Sequence, residues 1–390
     1  MSIGSMTAFA GQPQPAPAAA ALHGPLLIAA PIYARAPYAG LHPLRIPRVS
    51  TVLDLSRAMG WLPPDRYRTS PRAKPAALTT FHSAAYVAAL QRAQAEGEVS
   101  AETRARHHLG TLSNPVFPQM YDRPATGVGG VLLACELLAR ASAGAIHVPG
   151  GGTHHGLPDR ANGFCYLNDP ALAILSLKRA GLTRIAYVDI DAHHCDGVEP
   201  AFAGDPGVRM ISVHEEARWP WTGALSDTAQ GSAFNLPVPK GLNDTEMALI
   251  RDALILPRLQ EFRPEIIILQ AGADALLEDP LARLSLSNAA YRATLAAIRP
   301  LAPRLLLLGG GGYNPWSVGR CWTLLWADLS GQEVPDRLPP EAEAVLRGLS
   351  WNGGARPPPE EHLLTSLADA PRPGPIRSEL RDRLATLARR

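Results

Sequence analysis

The sequence predicts one α/β domain, a central and mostly parallel β-sheet flanked by helices. Three observations lead to it. Five apolar runs of four to six residues, rich in Ile, Leu or Val and bounded by Gly or Pro, recur between residues 145 and 308; such runs read as strands buried on both faces. Helical segments fall between several of them, and repeated strand, helix, strand order argues a parallel sheet. Residues 26–350 contain no internal repeat and no Pro/Gly/Ser linker long enough to separate two domains.

Taken in chain order, residues 1–25 are Ala-, Pro- and Gln-rich and read as a flexible extension, since nothing there repays the entropy of ordering. Helices are expected over 129–141, 171–180, 244–262 and 287–298, and strands over 145–148, 185–188, 208–213, 265–269 and 304–308. Residues 351–390 mix proline with arginine and read as a peripheral extension with a short helix near 379–388.

Composition narrows the function. With 46% apolar and 18% charged residues, a large core can be buried and wholesale disorder is excluded. A net charge of 37 − 35 = +2 is too balanced for a chain that coats nucleic acid or an acidic membrane. Four cysteines without a CxxC pair indicate neither a zinc ribbon nor a disulfide framework. No apolar run approaches the ~20 residues that cross a bilayer. Residues 1–25 lack the Lys or Arg of a targeting segment, so a cytoplasmic protein with reduced thiols is expected.

In parallel sheets, sites form beyond the carboxyl ends of the strands, and four of the five runs end in chemistry. Residues 145–148 lead to Pro149-Gly-Gly-Gly-Thr-His-His and deliver His154 and His155. Residues 185–188 lead to Asp189-Ile-Asp-Ala-His-His-Cys-Asp, 265–269 to Gln270-Ala-Gly-Ala-Asp274, and 304–308 to four glycines and Tyr313. Residues two apart in an extended segment face one side, so Asp191 and His193 can share a cation that Asp274 reaches from another strand end. One imidazole and two carboxylates with an open position is a hydrolytic zinc arrangement. Its two carboxylates make it hard enough for iron(II), manganese(II) or cobalt(II) to compete. A neighbouring His suits the role of base toward water, and Asp189 and Asp196 are spare carboxylates able to orient such rings. Tyr313 can donate to a developing oxyanion. The four glycines lack the Lys and hydroxyl of a phosphate-binding loop.

These motifs, with Asn162-Gly-Phe-Cys-Tyr-Leu-Asn-Asp and Gly309-Gly-Gly-Gly-Tyr-Asn-Pro-Trp, resemble the zinc-dependent histone deacetylase family. The nearest likeness is to class I and bacterial acetoin-utilisation-type members, over about residues 30–330. His42-Pro-Leu-Arg-Ile-Pro-Arg and Thr80-Phe-His resemble the family's amino-terminal region. The resemblance implies an arginase/deacetylase-like three-layer fold, with 26–350 as the catalytic domain. It implies Asp191, His193 and Asp274 as zinc ligands, His155 with Asp196 as general base and acid, and His154 with Asp189 as the electrostatic partner. Tyr313 would polarise the acyl carbonyl. A structural potassium ion would use Asp189, Asp191, His193, Ser212 and Val213, and a second monovalent cation would fall near Phe202, Asp205 and Val208. Gly163, Phe164, Trp219 and Leu281 would line the acyl-lysine tunnel and its rim.

Three departures stand out. Cys195 replaces the usual Gly and is expected as a tolerated small buried residue, though its oxidisable thiol lies near the metal. Gln270-Ala-Gly lacks a common Cys. The rim acid has no secure counterpart in 101–121, where Glu102 is the candidate. The implied activity is lysine deacylation on a protein or peptide. The nearest rival substrate is an acylpolyamine or other small acylated amine, for which Glu215, Glu216 and Glu278 are candidate mouth acids. A two-manganese ureohydrolase-like enzyme and an inactive binding module are more distant alternatives.

Overall fold

The computed structural model describes residues 20–34, 42–351 and 358–390. Most of the extension expected over 1–25 therefore lies outside the described residues, although Leu22 N already donates to the Ala143 carbonyl at 2.9 Å. Eight strands form one sheet: β1 (Leu26–Ala29), β2 (Tyr67–Thr69), β3 (Gly144–Val148), β4 (Ile185–Asp189), β5 (Val208–Glu215), β6 (Ala233–Val238), β7 (Ile266–Gln270) and β8 (Arg304–Leu308). Their order is β2-β1-β3-β8-β7-β4-β5-β6, and every pairing is parallel.

The five anticipated strands are β3, β8, β7, β4 and β5, which lie side by side in the sheet. The apolar runs missed β1, β2 and β6. β2 is only three residues long and mostly exposed, while β6 (Ala-Phe-Asn-Leu-Pro-Val) carries Pro237, which an edge strand tolerates because its outer backbone needs no partner. Alternation sorts side chains to the two faces. Ala186, Val188, Ile267 and Leu269 join one core with Trp322 and Trp326, whereas Tyr187, Ile266 and Ile268 join the other with Val131, Leu138 and Ile174.

Local chemistry explains the helix ends nearest the site. Helix Pro315–Ser330 begins at Asn314, whose side chain accepts from Trp316 N and Ser317 N, and stops at Gly331 in the left-handed region. That cap fixes the chain one residue after Tyr313. The helical stretch expected over 244–262 starts on a reciprocal Asn243/Glu246 cap and widens into a π turn over Arg251–Ile255. The widening falls just before Pro257, whose missing N–H would break a regular ladder.

Residues 358–390 are not peripheral. The expected helix forms as Ser378–Ala388, and Leu363, Leu367, Leu380, Leu384 and Leu387 are buried in the larger core. Proline and arginine content concealed a leucine stripe that needs a surface to cover.

Register then builds the site. Val148 pairs with Leu308, Leu308 with Gln270, Gln270 with Asp189, and Asp189 with Ser212. The carboxyl ends of five adjacent strands therefore lie in one row, and the loops that leave them meet.

Candidate active site

Beyond the ends of β4 and β7, Asp191, His193 and Asp274 each offer one ligand atom, all within 4.8 Å of one another, and all three residues are buried. His193 Nδ1 lies 2.9 Å from Asp274 Oδ2 and 3.3 Å from Asp191 Oδ1. The remaining carboxylate oxygens are held by the backbone: Gly311 N donates to Asp191 Oδ2 at 2.7 Å and Ala192 N to Asp274 Oδ1 at 2.8 Å. Two buried carboxylates around one imidazole are costly without a positive partner, so the donor set fits a divalent cation. No other cluster of this kind occurs among the described residues.

The Gly309–Gly312 turn exists for this approach. A Cβ on Gly311 would stand 2.0 Å from Asp274 Oδ2. Its N–H is taken by the Asp191 carboxylate.

The two histidines of the β3 turn are each backed by an acid. His154 Nδ1 meets Asp189 Oδ2 at 2.7 Å, and His155 Nδ1 meets Asp196 Oδ1 at 2.6 Å. Each acid is itself anchored: Tyr187 donates to Asp189 Oδ2 at 2.7 Å and Asn162 to Asp196 Oδ2 at 2.9 Å. Electrostatics separates the rings. Burial disfavours a charged His154, but the Asp189 and Asp191 carboxylates outweigh it and raise that ring to about 9. Burial, reinforced by His154, pushes His155 down to about 4. Burial raises Asp274 to about 6, with the Asp191 charge adding to it; a bound cation would draw this carboxyl back down.

Above the cluster lies a cavity of about 630 Å³. His155, His193 and Tyr313 reach it from the metal-ligand side. Gly163, Phe164, Trp219 and Leu281, the residues singled out for a tunnel and rim, also line it. The Trp219 indole stands edge-on to His155 at 4.5 Å between centroids, and Phe164 edge-on to Tyr313 at 5.8 Å.

Other candidates are placed differently. Ser212 sits beside Asp189 in register, with its hydroxyl 2.9 Å from His214 Nδ1, and Val213 follows it on β5. Phe202, Asp205 and Val208 share one turn, but its groups have protein partners. The Phe202 carbonyl accepts from Asp205 N and the Asp205 carbonyl from Val208 N, each at 3.1 Å, while the Asp205 carboxylate pairs with Lys178. Glu102 lies exposed on helix Ala101–His107, and the 101–121 region instead lines the cavity with His108, Thr111, Ser113 and Asn114. Cys195 is fully buried, and burial pushes its thiol well above the ordinary value.

Sequence reasoning missed Asp279. This buried carboxylate accepts from Tyr313 N at 2.7 Å and from Leu281 N at 2.8 Å, tying the candidate oxyanion donor to the rim. It also missed Arg48, which donates to the Gly310 carbonyl at 2.6 Å. No spacing rule marks either residue, since each works by long-range contact.

Comparison with known proteins identifies the family and the fold. Residues 42–329 match the model of the histone deacetylase domain. Acetoin utilization protein AcuC of Bacillus subtilis is 33% identical over 314 residues, covering 77% of this chain and 80% of that protein. Histone deacetylase 8 of Xenopus tropicalis is 34% identical over 299 residues, covering 75% and 80%. The crystal structure of an HDAC homolog from Aquifex aeolicus superposes with a TM-score of 0.88 at 35% identity, covering 94% of this chain and all of that one. The structure of an HDAC homolog complexed with SAHA gives 0.89 at 35% identity.

Proposed function

The chain belongs to the histone deacetylase family, and on that premise we propose that this hydrolase is zinc-dependent and removes acyl groups from the ε-amine of lysine. The observation that carries the reading is the cavity: its floor holds His155, His193 and Tyr313, and its walls Phe164 and Trp219. An apolar-walled passage to a polar floor suits an alkyl stem that ends in an amide.

A divalent cation held by Asp191, His193 and Asp274 would supply Lewis acidity toward the acyl carbonyl and the attacking water. The protein's own groups do the rest. His155, which faces the cavity, takes the water proton on Nε2 while Asp196 fixes its other nitrogen, and returns a proton to the leaving amine. His154, which does not line the cavity, holds positive charge beside the site through Asp189. The Tyr313 hydroxyl, kept protonated because burial raises it well above its ordinary value, donates to the carbonyl oxygen as charge develops there.

The acylpolyamine alternative needs free acids at the mouth. Glu215 is bound by Arg218, Glu216 by Arg383 and Glu278 by Arg372, so these charges are already answered and a peptide-borne acyl-lysine is favoured. A structural potassium ion at Asp189 and Ser212, and a cytoplasmic location, belong to the same proposal. No helix among the described residues is long and apolar enough to cross a membrane.

The test is turnover of acetyl- to longer acyl-lysine peptides, with N-acetylputrescine alongside, by zinc-loaded wild type and Tyr313→Phe. Peptide turnover that collapses in the variant supports the proposal. Turnover of N-acetylputrescine alone replaces its substrate, and silence on all with zinc bound overturns it.

A further inference from the structure

The histone deacetylase match ends at residue 329, yet the chain beyond it reaches back to both loops that shape the cavity. The first loop, residues 276–286, carries Glu278, Asp279 and Leu281. Arg372 Nη2 donates to Glu278 Oε1 at 2.6 Å. Glu278 also receives the Ser317 hydroxyl, and its carbonyl the Asn314 amide, each at 3.3 Å. The next residue, Asp279, holds the Tyr313 and Leu281 N–H groups. Arg372 is therefore one ion pair, one peptide link and one hydrogen bond from the backbone of Tyr313.

The second loop, residues 216–228, carries Trp219. Arg383 donates to both carboxylate oxygens of Glu216, at 3.0 and 2.9 Å, and to the Pro237 carbonyl at 2.7 Å. Arg390 donates to the Leu225 carbonyl at 2.7 Å. The two loops are also tied to each other, since Arg218 donates to the Leu281 carbonyl at 2.7 Å.

The segment has a firm footing of its own. Arg320 and Asp369 pair at 2.8 Å with both side chains buried, and Arg377 pairs with buried Glu246. A tethered segment can transmit position, because its anchors do not give way when the loops are pushed.

We infer that residues 366–390 are a strap that positions the active-site loops, with Arg372 setting Tyr313 through Glu278 and Asp279, and Arg383 setting the Trp219 wall through Glu216. These are positioning residues, and neither reaches the cavity. The inference rests on the deacylase reading only for its kinetic consequences: Arg372 governs kcat, and Arg383 governs KM and acyl-chain selectivity.

The experiment compares wild type, Arg372→Ala, Arg372→Lys, Arg383→Ala and, as a control on the same segment, Arg389→Ala. Turnover of acetyl- and butyryl-lysine peptides is expressed per bound metal ion, so that unfolded molecules do not count. Hydrogen exchange is followed in peptides covering 278–286, 309–317 and 216–228. Arg372→Ala is expected to lower kcat about tenfold with KM nearly unchanged, the scale of a slightly misplaced group. It also speeds exchange at 278–286 and 309–317, and Arg372→Lys recovers part of both effects. Arg383→Ala is expected to change KM and the acetyl-to-butyryl ratio and to speed exchange in 216–228 alone, while Arg389→Ala matches wild type. Unchanged exchange at these loops in both alanine variants overturns the strap, as does a loss of raw turnover that vanishes once it is expressed per bound metal ion. If wild type turns over neither peptide yet the local exchange pattern appears, the strap stands and the deacylase reading fails.

Discussion

Gly163→Ala is the sharpest probe of the cavity wall. Gly163 adopts φ +51°, and a Cβ there would stand 2.1 Å from Trp219 Cη2 and 2.7 Å from Cζ3. Ordinary carbon contacts lie at about 3.5–4.0 Å, so the indole or the Gly163 backbone must yield by roughly 1.5 Å. The left-handed backbone adds about 1–2 kcal/mol for any side chain. Because the indole leans on His155, its displacement disturbs both the wall and the proposed base. A misplacement of this size is expected to cost about 100-fold in kcat/KM on an acetyl-lysine peptide, with metal content unchanged. Pairing it with Trp219→Phe, whose ring is shorter, should restore much of that loss, because the clash with the indole does more damage than the backbone strain. Steady-state kinetics with metal analysis on the two single variants and the double variant decide the matter. Gly163→Ala with wild-type kinetics, or a double variant as impaired as the sum of the singles, refutes the reasoning.

Other expectations follow from the same geometry. Tyr313→Phe should lower kcat about 100-fold or more, the scale of losing one oxyanion donor, with KM within a factor of two and an unchanged melting curve. Asp274→Asn should abolish stoichiometric metal binding and activity together, and dialysis against a chelator should silence wild type until zinc or iron(II) is restored. Asp279→Asn keeps shape but turns one of its two acceptors into a donor facing an N–H. It should cost about 1–3 kcal/mol of stability by chemical denaturation and lower kcat. His147 on β3 is buried with both ring nitrogens unpartnered, and burial holds it down to about 3 against an ordinary 6.5. Its neutral form is the folded one, so its contribution is intact above pH 6.5 and is lost as pH falls toward 3. His147→Leu should therefore raise stability at neutral pH and flatten the acid limb of the denaturation curve.

The sequence by itself determined the sheet's interior and the chemistry on its edge. Runs such as Ile266–Leu269 are apolar on both faces and have no stable place except between two helical layers. The residues that end those runs inherit a fixed address, so Asp191, His193, Asp274, the His154–His155 pair and Tyr313 could be read as one constellation from their positions after strands. The edge strands β2 and β6 escaped because three residues in the one, and a proline in the other, leave no clear apolar run. What only the tertiary structure decided lies in contacts between distant segments. Asp279 looks like a loop acid until the fold sets Tyr313 and Leu281 against it. Glu216 and Glu278 look like free charges at a mouth until Arg383 and Arg372 arrive from more than 90 positions away. Local pattern fixes which way a side chain faces, but whether a charge is free or answered depends on what folding brings beside it.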